Sequence, residues 1–85
     1  MYQIRYKKAA LKGLARLPAD VRERILASLQ RVAEHPDSDA LDIKALQGRP
    51  GYRLRVGKWR VIYHRDDAEL VILVLEVGAR GGVYK

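Results

Sequence analysis

Cysteine is absent from this 85-residue chain, which excludes disulfide staples, thiol nucleophiles and cysteine-based zinc sites together. Long apolar runs are missing too. The longest, Leu70 to Leu75, has six residues, against the roughly 18–20 needed to cross a bilayer, so no membrane association is expected. The amino-terminal stretch reaches Arg5, Lys7 and Lys8 without an apolar signal segment, and a cytoplasmic location is the expectation. Histidine is scarce, with only His35 and His64. His64-x-Asp66 is a weak metal motif that reads as structural, so neither a metal nor a cofactor is expected. Glycine-rich phosphate loops of the dinucleotide or Walker type do not occur.

One absence is local. From Ile43 through Arg65 there is no Asp or Glu, while the same window holds Lys44, Arg49, Arg53, Arg55, Lys58, Arg60 and Arg65. The rest of the chain has ten basic and ten acidic residues, so the formal net charge of +7 resides in that block. A basic block without acidic neighbours reads as an anion-binding surface, for nucleic acid, an anionic membrane surface or an acidic protein segment. The alternative is a solvated edge strand whose charges deter aggregation.

What is present suits a single globular domain spanning residues 1–85, with 48% hydrophobic and 32% charged residues. Residues 2–6 alternate apolar and polar, as a short strand does. From Lys7 to about Arg16 the pattern is helical, with Ala10, Leu11, Leu14 and Leu17 on one stripe and Gly13 weakening it. Pro18 suits the first turn of a second helix, in which Val21, Ile25, Leu29 and Val32 form a continuous stripe. His35-Pro36 ends that helix. Residues 36–51 read as a connector, with Leu41, Ile43 and Leu46 as anchors onto the core. Tyr52–Val56 and Trp59–Tyr63 then flank Gly57-Lys58, a two-residue type II′ hairpin signal. Leu70 to Val77 reads as a strand covered on both faces. The expected fold class is α+β, an N-terminal strand and an antiparallel helical hairpin packed on a mostly antiparallel β-sheet.

The turn fixes the hairpin register. Val56 should face Trp59, Arg55 face Arg60, Leu54 face Val61, Arg53 face Ile62 and Tyr52 face Tyr63. One face then carries Tyr52, Leu54, Val56, Trp59, Val61 and Tyr63 as a core layer. The other carries Arg53, Arg55, Arg60, Ile62 and His64. Like charges directly opposite destabilise a sheet by a few tenths to about 1 kcal/mol. A phosphate held bidentately between guanidinium forks reverses that sign. The chain's last residues add Arg80 and Tyr84, which read equally well as a phosphate-and-base contact beside the hairpin or as a tail pinned to the core.

The run Leu46-Gln-Gly-Arg-Pro-Gly-Tyr-Arg-Leu-Arg-Val-Gly-Lys-Trp-Arg-Val-Ile-Tyr63, followed by Leu73-Val-Leu-Glu-Val-Gly-Ala-Arg80 and Val83-Tyr84, resembles the RelE/ParE superfamily of type II toxins. The resemblance extends over the whole chain. It implies the toxin half of a toxin–antitoxin pair, with a cognate antitoxin protein as partner. In the RelE branch the implied activity is cleavage of mRNA on the ribosome, while in the ParE branch the implied target is DNA gyrase. The Trp59–Tyr63 strand and the Val83-Tyr84 ending resemble the RelE branch more. By position, the resemblance implies catalytic roles for Arg60, Arg80, Tyr84 and Arg55 and RNA binding by Arg53 and Arg55, and Lys58 and Arg49 of the basic block are expected to bind RNA with them. Lysines often stand in the family where Arg53 and Arg55 stand here. Arginine is effectively never deprotonated, so neither residue can serve as a base.

Overall fold

Alternating sequence builds the sheet, and two apolar stripes build the helices that cover it. A computed structural model describes residues 1–79. In chain order the elements are β1 (Gln3–Tyr6), α1 (Lys8–Ala15), α2 (Ala19–Glu34), β2 (Asp42–Ala45), β3 (Tyr52–Val56), β4 (Trp59–Asp66) and β5 (Val71–Ala79). The five strands form one mixed sheet in the order β1-β5-β4-β3-β2. Only β1 and β5 run parallel, while the other neighbours are antiparallel. The fold class is α+β, with the two helices on one face.

Val21, Ile25, Leu29 and Val32 of α2 are buried together with Ala10, Leu14 and Leu17. They pack on Leu54, Val61, Tyr63, Ile72 and Val74 of the sheet. Leu11 departs from the expected stripe: it is exposed on the short α1, beside Tyr6 and Leu26. Pro18 occupies the N-cap of α2 rather than its first turn. Its carbonyl accepts the Arg22 amide at 3.0 Å.

Three further differences concern the sheet. The connector contains a strand, β2, pairing with β3 along the edge. Asp-Ile-Lys-Ala alternates over only four residues, with Asp, Lys and Ala of low β-propensity, so its strand signal is weak. Leu41 and Ile43 do pack against the core. Leu46 instead sits on the far side of the sheet, where residues 46–51 fold back and Leu46 N–H reaches the Gly51 carbonyl at 3.0 Å. Finally, β5 is not covered on both faces. Ile72, Val74 and Val77 are buried, while Val71, Leu73, Leu75 and Glu76 are half-exposed.

Two contacts lock this arrangement. Gly13 lets the α1 backbone rest on β5, since a Cβ there would collide with the Val77 carbonyl. At the opposite end Arg65 ties three segments together. Its Nη1 and Nε each lie 2.7 Å from a carboxylate oxygen, of Asp37 and Asp67 respectively. The Tyr2 hydroxyl donates to the same Asp67 oxygen at 2.7 Å. Hydrogen bonding from Arg65 holds Asp37 below its ordinary pKa, and bonds from Tyr2 and Arg65 do the same for Asp67.

Gly13→Ala should lower stability, although alanine is the better helix former by about 1 kcal/mol. Overpacking at a fixed backbone contact costs about 1–3 kcal/mol, and a urea midpoint above wild type would refute the close approach. The aspartates give a second expectation. Because their folded pKa values are depressed, the stability they contribute is complete above the unfolded carboxylate range, near about pH 4. It is lost as pH falls through the lower folded values. Asp67→Asn should flatten that acid limb in denaturation midpoints measured against pH.

Candidate nucleic-acid interface

Gly57 has φ +61°, and Lys58 beside it stays in the negative-φ region, as a type II′ turn requires. The β3–β4 register is the expected one, with Arg55 opposite Arg60 and Arg53 opposite Ile62. The face away from the helices can be read as two rows running across the strands. One row is Lys44, Arg53, Ile62 and Glu76, and the other is Asp42, Arg55, Arg60 and Gly78.

Each row ends differently from the bare basic face expected. Asp42 lies one residue before the acid-free window, and β2 sets it opposite Arg55. Its carboxylate is 3.1 Å from Arg53 Nη2 and 3.8 Å from Arg55 Nε. Arg53 is consequently buried, at 6% exposure, which corrects its expected place as an open RNA clamp. Its guanidinium is already neutralised and holds β2 to β3. On the far side, Arg49 Nη2 reaches Glu76 Oε2 at 3.5 Å, bringing the 46–51 loop over the face. His64 Nε2 lies 3.3 Å from the Pro50 carbonyl oxygen, a further tie to that loop.

The remaining basic residues differ in access. Lys58 is exposed at the turn, with Nζ 5.5 Å from the Trp59 ring centroid. Arg60 is half-buried in the sheet. Arg55 is one-third exposed, yet its Nε is shut off from solvent without a hydrogen-bond acceptor. Buried N–H groups almost always find an acceptor, so this donor is suited to an incoming anion. Arg65 belongs to the other face and is spent on Asp37 and Asp67. Arg80 and Tyr84 lie outside the described residues. Tyr63 stacks on Tyr52 at 5.6 Å on the core side, where burial pushes its hydroxyl up to about 12 and removes it from proton chemistry near neutrality.

Two residues of this face were not singled out from sequence, Asp42 and Glu76. Both had a signal. Residues 42–45 alternate polar and apolar, and a lone glutamate in an apolar strand marks an uncovered position. Among the described residues no group of His, Asp and Glu is arranged to hold a metal ion, and no helix is long and apolar enough to cross a membrane.

A family model described as "ParE toxin of type II toxin-antitoxin system, parDE" matches residues 4–84. The mRNA interferase toxin RelE of Escherichia coli K12 is 29% identical over 79 residues, covering 93% of this chain and 83% of that protein. Among solved structures, the archaeal RelE–RelB complex from Pyrococcus horikoshii superposes with a TM-score of 0.81 at 29% identity, covering 95% of this chain and 97% of that one. The intact E. coli RelBE toxin–antitoxin complex gives 0.79 at 29% identity, with 93% and 96% covered.

The pairing of buried Arg53 with exposed Asp42 predicts that Arg53→Ala loses about 1 kcal/mol or more, chiefly the packing of its buried stem with a smaller part from the half-exposed ion pair. Lys58→Ala, at the exposed turn, should change stability by less than about 0.5 kcal/mol. Equal urea midpoints for the two variants would show that Arg53 is not the tie between β2 and β3.

Proposed function

The chain belongs to the RelE/ParE superfamily of type II toxin–antitoxin toxins, and on that premise we propose that it is an mRNA interferase acting on the ribosome. The observation that supports this best is the Arg55–Arg60 pair, opposed across β3 and β4, with the desolvated, unbonded Nε–H of Arg55 beside it. Such a site suits a phosphodiester. The similarity to the E. coli mRNA interferase RelE over nearly the whole chain points the same way.

The reaction is attack of an RNA 2′-hydroxyl on its own 3′-phosphate. The O2′–P bond forms, the P–O5′ bond breaks, and the products are a 2′,3′-cyclic phosphate and a free 5′-hydroxyl. Arg60 stabilises the charge that builds on the phosphorane, as fixed donors do in other phosphoryl and acyl transfers. Arg55 holds a phosphate oxygen through its free donor. Lys58 and Arg49 contact the RNA backbone from the turn and the 46–51 loop, while Arg53 acts indirectly by fixing Asp42 and the edge strand. Arg80 and Tyr84 take the charge-stabilising and base-orienting roles that the family pattern carries to those positions. The ribosome supplies substrate alignment, which can contribute several kcal/mol. The partner that restrains this chemistry is a cognate antitoxin, since relatives have been crystallised with RelB. Acidic side chains of that antitoxin would bind at Arg55 and Arg60 in place of RNA.

The matched family description names a ParE toxin, and this favours a second reading, inhibition of DNA gyrase by protein contact. A translation extract separates the two. The wild-type chain should cut mRNA within ribosome-bound codons, and Arg60→Ala and Arg80→Ala should each slow cutting about 10²–10³-fold. Circular dichroism serves as the fold control. Intact mRNA together with inhibited gyrase supercoiling would transfer the assignment to the second reading.

A further inference from the structure

Among the described residues, the arginines that line the proposed phosphate site supply no group to receive the 2′-hydroxyl proton. Guanidinium groups have no acceptor capacity, so neither Arg55 nor Arg60 can take it. The described outer face offers three other candidates. Asp42 is engaged by Arg53 and Arg55 at the β2 edge. His64 is held against the Pro50 carbonyl and sits one row beyond Ile62, opposite Leu73. Glu76 remains.

Its placement is favourable. Glu76 is opposite Ile62, and Gly78, two residues on, is opposite Arg60. Arg60 and Glu76 are therefore diagonal neighbours on one face, and at Gly78 no side chain fills the floor between them. Adjacent strands are about 4.8 Å apart and successive same-face residues about 6.8 Å, a spacing that admits one phosphate. Glu76 and Gly78 also border an open cavity of ≈ 560 Å³ shared with Trp59, Lys12 and Arg16. The carboxylate is 43% exposed, yet its Oε2 is shut off from solvent and makes no hydrogen bond. Arg49 stands 3.5 Å from that oxygen, longer than the 2.7–2.9 Å typical of a charge-assisted bond. A buried acceptor left open in this way calls for a donor.

We propose that Glu76 is the proton acceptor of the cleavage reaction, an inference that rests on the nuclease reading above. The 2′-hydroxyl donates to Oε2 and its proton passes to the carboxylate as O2′ bonds to phosphorus. The 5′-oxygen leaves with the P–O5′ pair and takes a proton from water. Charged groups around Glu76 are Arg49 from the loop, Arg60 and His64 of β4, Arg53 and Arg55 of β3, Asp42 and Lys44 of β2, and Lys12 and Arg16 of α1. Apart from His64 and Asp42, each of these is a cation and no rival acceptor for the proton, and Arg49 stands within ion-pair distance of the carboxylate.

The test is Glu76→Gln in the full-length chain, assayed with ribosomes programmed with a defined mRNA. Cleavage should fall about 10²-fold or more, the usual loss for a general base, with ribosome affinity unchanged or tighter. The wild-type rate should rise with pH along an acidic limb of unit slope, absent in Glu76→Gln and regained in Glu76→Asp with part of the rate. Wild-type cutting and pH profile in a folded Glu76→Gln would overturn the assignment and leave the nuclease reading standing. If the wild-type chain leaves mRNA intact, the nuclease reading itself fails and Glu76's role falls with it.

Discussion

Everything on this sheet depends on a two-residue turn. Gly57 adopts a left-handed φ that a side chain would resist, and the turn pairs Val56 with Trp59. From that point strict alternation sends Leu54, Val61 and Tyr63 into the core and leaves Arg55 facing Arg60 on the other side. A slip of one residue would exchange the two sets and bury the arginines under the helices. Core and site are thus two faces of one register.

The hairpin was legible in the sequence because turn chemistry and alternation agree there. The stripe on α2 was legible for a similar reason, since four apolar residues keep one phase over three turns. What escaped is held by interactions that leave no periodic trace. The strand β2 is an edge of four residues whose attachment owes much to the Arg53–Asp42 ion pair, a contact between positions 11 residues apart. The folding back of residues 46–51 depends on ties to His64 and Glu76 on other strands. The apolar run from Leu70 to Val77 suggested cover on both sides, yet its outer face is half-open and carries Glu76. Composition alone overstated hydrophobic cover at β5 and missed the neutralisation of Arg53.

The basic face is consequently more structured than a net charge of +7 suggests. Asp42 and Glu76 stand at opposite ends of the arginine rows, and Arg65 is used elsewhere to bind the chain's start to the end of α2. Arg55, Arg60, Lys58 and the loop residue Arg49 keep part of their surface accessible on that face. The Asp42 carboxylate holds the buried Arg53 guanidinium in a hydrogen-bonded ion pair. At Asp42, an acidic residue among basic ones serves as a positioning element.

The order of the strands has a consequence for timing. β5 is the last described element to leave the ribosome, but it occupies an interior place between β1 and β4. Until it arrives, β1 has no parallel partner, the α1 backbone has no strand to rest on, and Arg60 has no neighbouring floor. The nascent chain holds only a three-stranded meander and two helices with one side of their core missing. Pairing residue 3 with residue 71 is a long-range closure, of the kind formed late in folding. The outer face around Arg60 is therefore completed only when β5 takes its place beside β4.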